Sequence, residues 1–66
     1  MSDPITVTVT GKDSSSQVTA KVNAAGEMCR ELNRRDLMHV GHVHYEPREA
    51  RPGRLYFVAS VKAVPR

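Results

Sequence analysis

Three histidines, at positions 39, 42 and 44, lie close together in the sequence, and three imidazoles can make up the ligand set of a metal ion. In a regular strand, His42 and His44 point to the same face, about 7 Å apart at the backbone, and His39 joins them only if a bulge turns it. No carboxylate or second cysteine stands at a matching spacing. The competing interpretation is that the histidines occupy the exposed face of an edge strand. His42 and His44 are therefore candidate ligands, and no cofactor is assigned.

A second cluster combines basic and aromatic side chains. Such a mixture suits single-stranded nucleic acid, because cations neutralise phosphates and aromatic rings stack on bases. Two interleaved glutamates dilute the positive charge, and a solvated polar hairpin is the competing interpretation. The candidate residues for binding a ligand or partner are Tyr45, Arg48, Arg51, Arg54 and Tyr56.

Little in the sequence supports catalysis. Ser14, Ser15 and Ser16 fit cap and loop positions, and no nucleophile, base and orienting residue stand at a recognisable spacing. The four glycines are isolated, so none forms a phosphate-binding loop. Cys29 is the only cysteine, and its place on an apolar stripe predicts a small core side chain in a reducing compartment. We expect a protein that is not an enzyme.

Size and charge limit the remaining choices. The 66 residues predict a single small α+β domain (1–66), whose core is small enough to favour a homo-oligomer. Residues 30–66 hold eight Lys or Arg against four acidic residues, which favours nucleic acid or an acidic protein surface as partner. The N-terminus lacks the basic and apolar regions of a signal peptide, and the longest apolar run, 55–59, is too short to span a bilayer. We expect a cytoplasmic protein with no membrane partner.

The first half of the chain predicts a strand and a helix. Residues 4–10 alternate β-branched apolar residues with threonine, which is typical of a half-buried strand. Ser14 and Gln17 match a capping box at the start of a helix over 15–35. The helix is predicted to bury one apolar stripe, formed by Val18, Val22, Ala25, Cys29 and Leu32. The alternative makes 17–22 a strand followed by a short helix over 24–35, which gives a ββαββ order.

The second half predicts two strands. Residues 37–45 alternate with a slip that a β-bulge at Gly41 would correct. Residues 46–54 are interpreted as a loop containing a type II turn at Pro52-Gly53, and 55–64 as the central strand. The predicted fold is βαββ, with one helix packed on a three-stranded, mostly antiparallel sheet. The other sheet face is left uncovered and mixed in polarity, which favours association with another subunit.

The order of elements resembles that of the dodecins. The resemblance lies in Val9-Thr10-Gly11 followed by Ser14, in the helix length to Leu37-Met38-His39-Val40, and in the closing strand 55–61. It implies a helix on an antiparallel sheet and a hollow oligomer built from exposed sheet faces. Many dodecins hold flavin between subunits against a tryptophan that would fall near Leu37, and this chain has no tryptophan.

Two functional hypotheses follow. The first is a non-enzymatic oligomeric binding module that sequesters a small ligand at subunit interfaces. The alternative is a basic module, of a phage or regulatory type, that binds nucleic acid or inhibits a protein through its arginines.

Overall fold

The computed structural model describes residues 3–66, which form four elements in the order strand, helix, strand, strand. They are β1 (Ile5–Thr10), α1 (Gln17–Arg34), β2 (Leu37–Arg51) and β3 (Arg54–Pro65). The sheet order is β1-β3-β2, and β3 is antiparallel to both neighbours. The predicted βαββ fold and the central place of the last strand are therefore confirmed. The ββαββ alternative is wrong, because residues 17–22 form the first turns of α1.

The helix begins two residues later than the predicted capping box requires. Ser16 is the N-cap, and its hydroxyl oxygen accepts a hydrogen bond from the Thr19 amide at 3.3 Å. Ser14 cannot fill that position, because its backbone exchanges two hydrogen bonds with Leu55, at 2.8 and 2.9 Å. The chain thus continues alongside β3 past the end of β1 before it turns into the helix.

Of the five residues predicted to form the buried stripe, the helix buries only Leu32. Val18 is 74% exposed, Val22 is 62% exposed, Cys29 is exposed and Ala25 is half-buried. Since successive helical residues turn by about 100°, the predicted stripe lies roughly a quarter turn away from the buried one. The prediction that Cys29 is a core residue is therefore wrong. The buried residues recur every fourth position, at Ala20, Ala24, Met28 and Leu32.

Small side chains on the sheet explain why the alanines face it. In β3 the inward residues Ala59 and Ala63 are fully buried, and Gly11 is buried directly beneath Ala24. The helix therefore approaches the sheet closely, and a valine at position 20 or 24 would have no room. The buried core consists of Val7, Ala20, Ala24, Met28, Leu32, Leu37, Phe57, Ala59, Val61 and Ala63.

The hairpin of β2 and β3 is longer than predicted. The segment interpreted as a loop is strand as far as Arg51, because its residues pair with β3, with one register shift between Glu49 and Arg51. The tip at Pro52-Gly53 is a tight turn, and Gly53 has the positive φ (81°) that the second central position of a type II turn requires. The radius of gyration is 12.6 Å, against roughly 10.8 Å for a compact chain of this length. The molecule is elongated.

The predicted bulge at Gly41 is also confirmed. Gly41 has φ of 82°, and the pairing with β3 shifts between Val40 and His44. Within residues 3–66, no helix is long and apolar enough to cross a membrane.

Candidate binding groove

An apolar groove runs between α1 and the edge strand β2. The helix packs mainly over the central strand β3, and it leaves part of the inner face of the long strand β2 uncovered. Val43 and Tyr45 on that face are only half-buried, and the side of the helix above them carries Ala25 and Cys29. The groove has a volume of about 430 Å³, and Met28, Leu32 and Leu37 form its floor.

The bulge at Gly41 places the strand wall of this groove. Before the bulge, Val40 pairs with Lys62 on the uncovered face of the sheet. After it, Tyr45 pairs with Ala59, which is buried on the helix side. The three residues between Val40 and His44 lie opposite a single residue of β3. Both Val43 and Tyr45 consequently face the helix, where the ring of Tyr45 meets Phe57 edge-on at 6.5 Å.

Polar groups flank the apolar middle of the groove. The Lys21 ammonium lies 5.0 Å from the centre of the Tyr45 ring, which is a cation–π distance. At the other end, the Arg66 guanidinium donates to the Asn33 side-chain oxygen (2.8 Å) and the Leu37 carbonyl (3.2 Å). The groove therefore suits a mainly apolar molecule with a polar or anionic end.

The two predicted tyrosines lie on opposite faces of the sheet. Tyr45 faces the helix, whereas Tyr56 pairs with Arg48 on the uncovered face. A nucleic acid strand cannot stack on both rings from one side, because the two faces of a sheet point in opposite directions. The structure does not bring the two aromatic residues together.

The three predicted arginines lie near the hairpin tip, where Arg48 and Arg54 line one shallow depression. Arg48 forms an ion pair with Glu46 (3.1 Å) on the uncovered face. Arg54 donates from Nε to Asp13 (2.6 Å) and ties the hairpin to the segment after β1. Arg51 lies opposite Arg54 beside the hairpin tip. Two of the three arginine charges are therefore paired with carboxylates, and the nucleic-acid hypothesis stays a prediction.

The Asp13–Arg54 contact makes stability depend on pH. The hydrogen bond from the Arg54 guanidinium holds the pKa of the Asp13 carboxyl below its ordinary value. A depressed pKa stabilises the folded state above the ordinary value near 4, and this stability is lost as the pH falls through the folded pKa.

We expect Asp13→Asn to remove this pH dependence. The stability difference between wild type and variant, from urea unfolding, should be constant from pH 7 to 5 and shrink below pH 4. Asp36→Asn serves as the control, because it removes a carboxylate that takes no part in the hydrogen bond between Asp13 and Arg54. A difference that stays constant down to pH 2 would contradict the assignment.

The histidines do not form one cluster. His42 and His44 line a shallow depression on the uncovered face together with Lys62 and Ser60. His39 pairs with Ala63 on the helix side, and its Nδ1 lies 3.1 Å from the Gly41 carbonyl oxygen. In the part of the chain that the structure describes, no three His, Cys, Asp or Glu side chains could hold a metal ion together. The candidate pair His42 and His44 stays a prediction.

The sequence interpretation missed the groove because it assigned one apolar stripe to the core. The helix carries two such stripes, the buried one and the one through Val18, Val22, Ala25 and Cys29. Together they are wider than the face that one helix buries on a small sheet. That excess apolar width was the available signal for a second contact surface.

Comparison with protein-family models gives no match, and neither a curated protein nor a solved structure matches the chain significantly.

Proposed function

We propose that this chain is a non-enzymatic, self-associating binding module that holds a small apolar ligand in the groove between α1 and β2. The observation that carries the proposal is the groove itself, with its apolar floor and walls and a volume of about 430 Å³. That volume lies within the range of small-molecule sites. A cation near each end favours ligands with an anionic group.

Self-association is supported by the apolar surface that the fold leaves uncovered. Met38 is 53% exposed and Val40 is 48% exposed on the uncovered face of the sheet. Val18 and Val22 add a second exposed patch on the helix. A domain with so small a core benefits from burying such surface against other subunits. The resemblance to the dodecins favours the same assembly, and a cytoplasmic location is part of the proposal.

The groove can be tested with 8-anilinonaphthalene-1-sulfonate, an aromatic anion whose fluorescence rises in apolar sites. We expect saturable binding to the folded protein. Ala25→Glu places a charge in the groove wall and should weaken binding at least tenfold. Thr19→Glu places the same charge on an exposed part of the helix outside the groove and should leave binding unchanged.

Far-UV circular dichroism on both variants verifies that the helix is retained. Equal affinity in wild type and Ala25→Glu would contradict the groove as the site. Native mass spectrometry of protein purified from cells tests the other part of the proposal, because it reports subunit number and any co-purified ligand together.

A further inference from the structure

The sheet has two outer edges, β1 and β2, and they differ in which backbone groups are free. The Gly11 amide donates to the Phe57 carbonyl at 3.0 Å, so these two residues form a hydrogen-bonded pair of the β1–β3 ladder. In an antiparallel ladder, bonded and non-bonded pairs alternate. Counting back along the register, the N–H and C=O groups of Thr6, Thr8 and Thr10 therefore point away from the sheet.

The outer edge of β2 is blocked in three places. Near its start, the Leu37 carbonyl accepts from the Arg66 guanidinium. The bulge at Gly41 interrupts the strand, and His39 lies against the carbonyl of that glycine. Pro47 lies opposite Phe57, whose backbone N–H and C=O point toward β1. The two residues are therefore a non-bonded pair, and the proline nitrogen points outward without an N–H to offer. Bulges and prolines of this kind prevent a further strand from pairing.

The edge of β1 has none of these features. Ile5–Thr10 contains no charge, proline or glycine, and the strand is regular. Within residues 3–66, the outward groups of Thr6, Thr8 and Thr10 have no hydrogen-bond partner in the backbone. A regular, uncharged edge rich in β-branched residues is a template for another strand.

We propose that a second copy of this chain pairs with β1 in antiparallel fashion, which joins two sheets into one of six strands. The segment reads almost the same in both directions, so Thr8 faces Thr8 of the copy and Val7 faces Val9. Threonine pairs and β-branched pairs of this kind stabilise adjacent strands. This inference rests on the self-association in the proposed function and assigns the β1 edge to it, a contact separate from the exposed apolar side chains of β2 at the opposite edge of the sheet.

The helix flank above β1 leaves room for a second copy in charge terms. The Asn23 side chain donates to the Lys12 carbonyl, so the flank of α1 with Asn23 and Glu27 lies toward β1. Gly11 is level with Ala24. Three strand residues span about 10 Å, as do six to seven helical residues, so Thr8 is level with about residue 30.

A two-fold axis at Thr8 places this flank of one copy beside the same flank of the other. The charges there are paired within each helix, Glu27 with Arg30 and Glu31 with Arg34. These four charges sum to zero, so the helix flanks do not repel each other when the strands below them pair.

Analytical ultracentrifugation of two matched proline variants tests the proposal. Thr8→Pro removes an outward N–H from β1. Glu49→Pro removes an outward N–H from β2, because Glu49 lies opposite Leu55, whose backbone N–H and C=O point toward Ser14 on the β1 side. At 0.2 mM, we expect the mass of Thr8→Pro to fall to half that of wild type or less. The mass of Glu49→Pro should equal that of wild type.

Thr8→Lys keeps the backbone intact and places like charges opposite each other at the axis, so it should lower the mass in the same way. This second variant decides the matter if circular dichroism shows that Thr8→Pro has lost its fold. Wild-type mass in Thr8→Lys, or loss of association only in Glu49→Pro, would overturn the β1 pairing while leaving self-association intact. A wild-type monomer at 0.2 mM would overturn both.

Discussion

Replacing Gly11 with alanine is expected to lower the free energy of unfolding by about 3 kcal/mol, a large share of the total for a domain of this size. A Cβ atom at this position would lie 2.5 Å from the Ala24 nitrogen and 2.6 Å from its Cα. Both are backbone atoms of the helix, so no side-chain rotation relieves the overlap. The helix would have to move away from the sheet, and the contacts of Ala20 and Ala24 with the sheet would be lost.

Gly26→Ala is the matched control, because it makes the same chemical change inside α1, outside the row of buried residues. There an added Cβ comes no closer than 3.9 Å to another atom, at the Arg30 guanidinium. Since glycine is unfavourable inside a helix, this variant should gain about 0.5–1 kcal/mol. Urea unfolding followed by circular dichroism measures both. Equal stability of Gly11→Ala and wild type would show that the helix lies farther from the sheet than described.

The close approach at Gly11 also explains which parts of the fold the sequence could predict. Period-two alternation is a property of a single segment, so β1 and β3 were predicted with nearly correct limits. Gly41 and Gly53 were predicted as a bulge and a turn because a positive φ favours glycine locally. The buried face of the helix depends instead on Gly11, Ala59 and Ala63, which lie in other elements.

A stripe chosen by hydrophobicity alone favoured valine over alanine and selected the wrong side of the helix. At a helix–sheet contact this close, side-chain volume outweighs hydrophobicity, since a larger residue would not fit. The strand over 46–51 was missed for a related reason. Its charged residues resemble a loop, and only pairing with β3 makes the segment extended.

The candidate binding residues show the same limit. Tyr45, Arg48, Arg51, Arg54 and Tyr56 are close in sequence, and a hairpin does bring their backbones together. Alternation along the strands then sends Tyr45 and Tyr56 to opposite faces. The wide apolar face of α1 signalled a second contact surface, but the place of the groove depends on how α1 lies across the sheet, where it packs mainly over β3. Nothing local to the helix or to β2 determines that position.

Phe57→Ala is expected to cost about 3–5 kcal/mol, enough to unfold much of the protein at 25 °C. Phe57 is 4% exposed, lies on the central strand and is the only phenylalanine in the chain. Its removal leaves a cavity beneath the helix and takes away the ring against which Tyr45 packs. Dispersion of the methyl signals in proton NMR spectra, together with urea unfolding, measures the loss.

Tyr56→Ala provides the comparison, because it removes a neighbouring ring of similar size from the same strand. Tyr56 points to the uncovered face and is half-buried, so its loss should cost less than half as much as that of Phe57. Equal costs would mean that both faces of β3 are covered in solution, and in that case the uncovered face, rather than the β1 edge, carries the subunit contact. The ratio of the two costs therefore tests the packing of the fold and, independently of hydrodynamic mass, the surface through which copies associate.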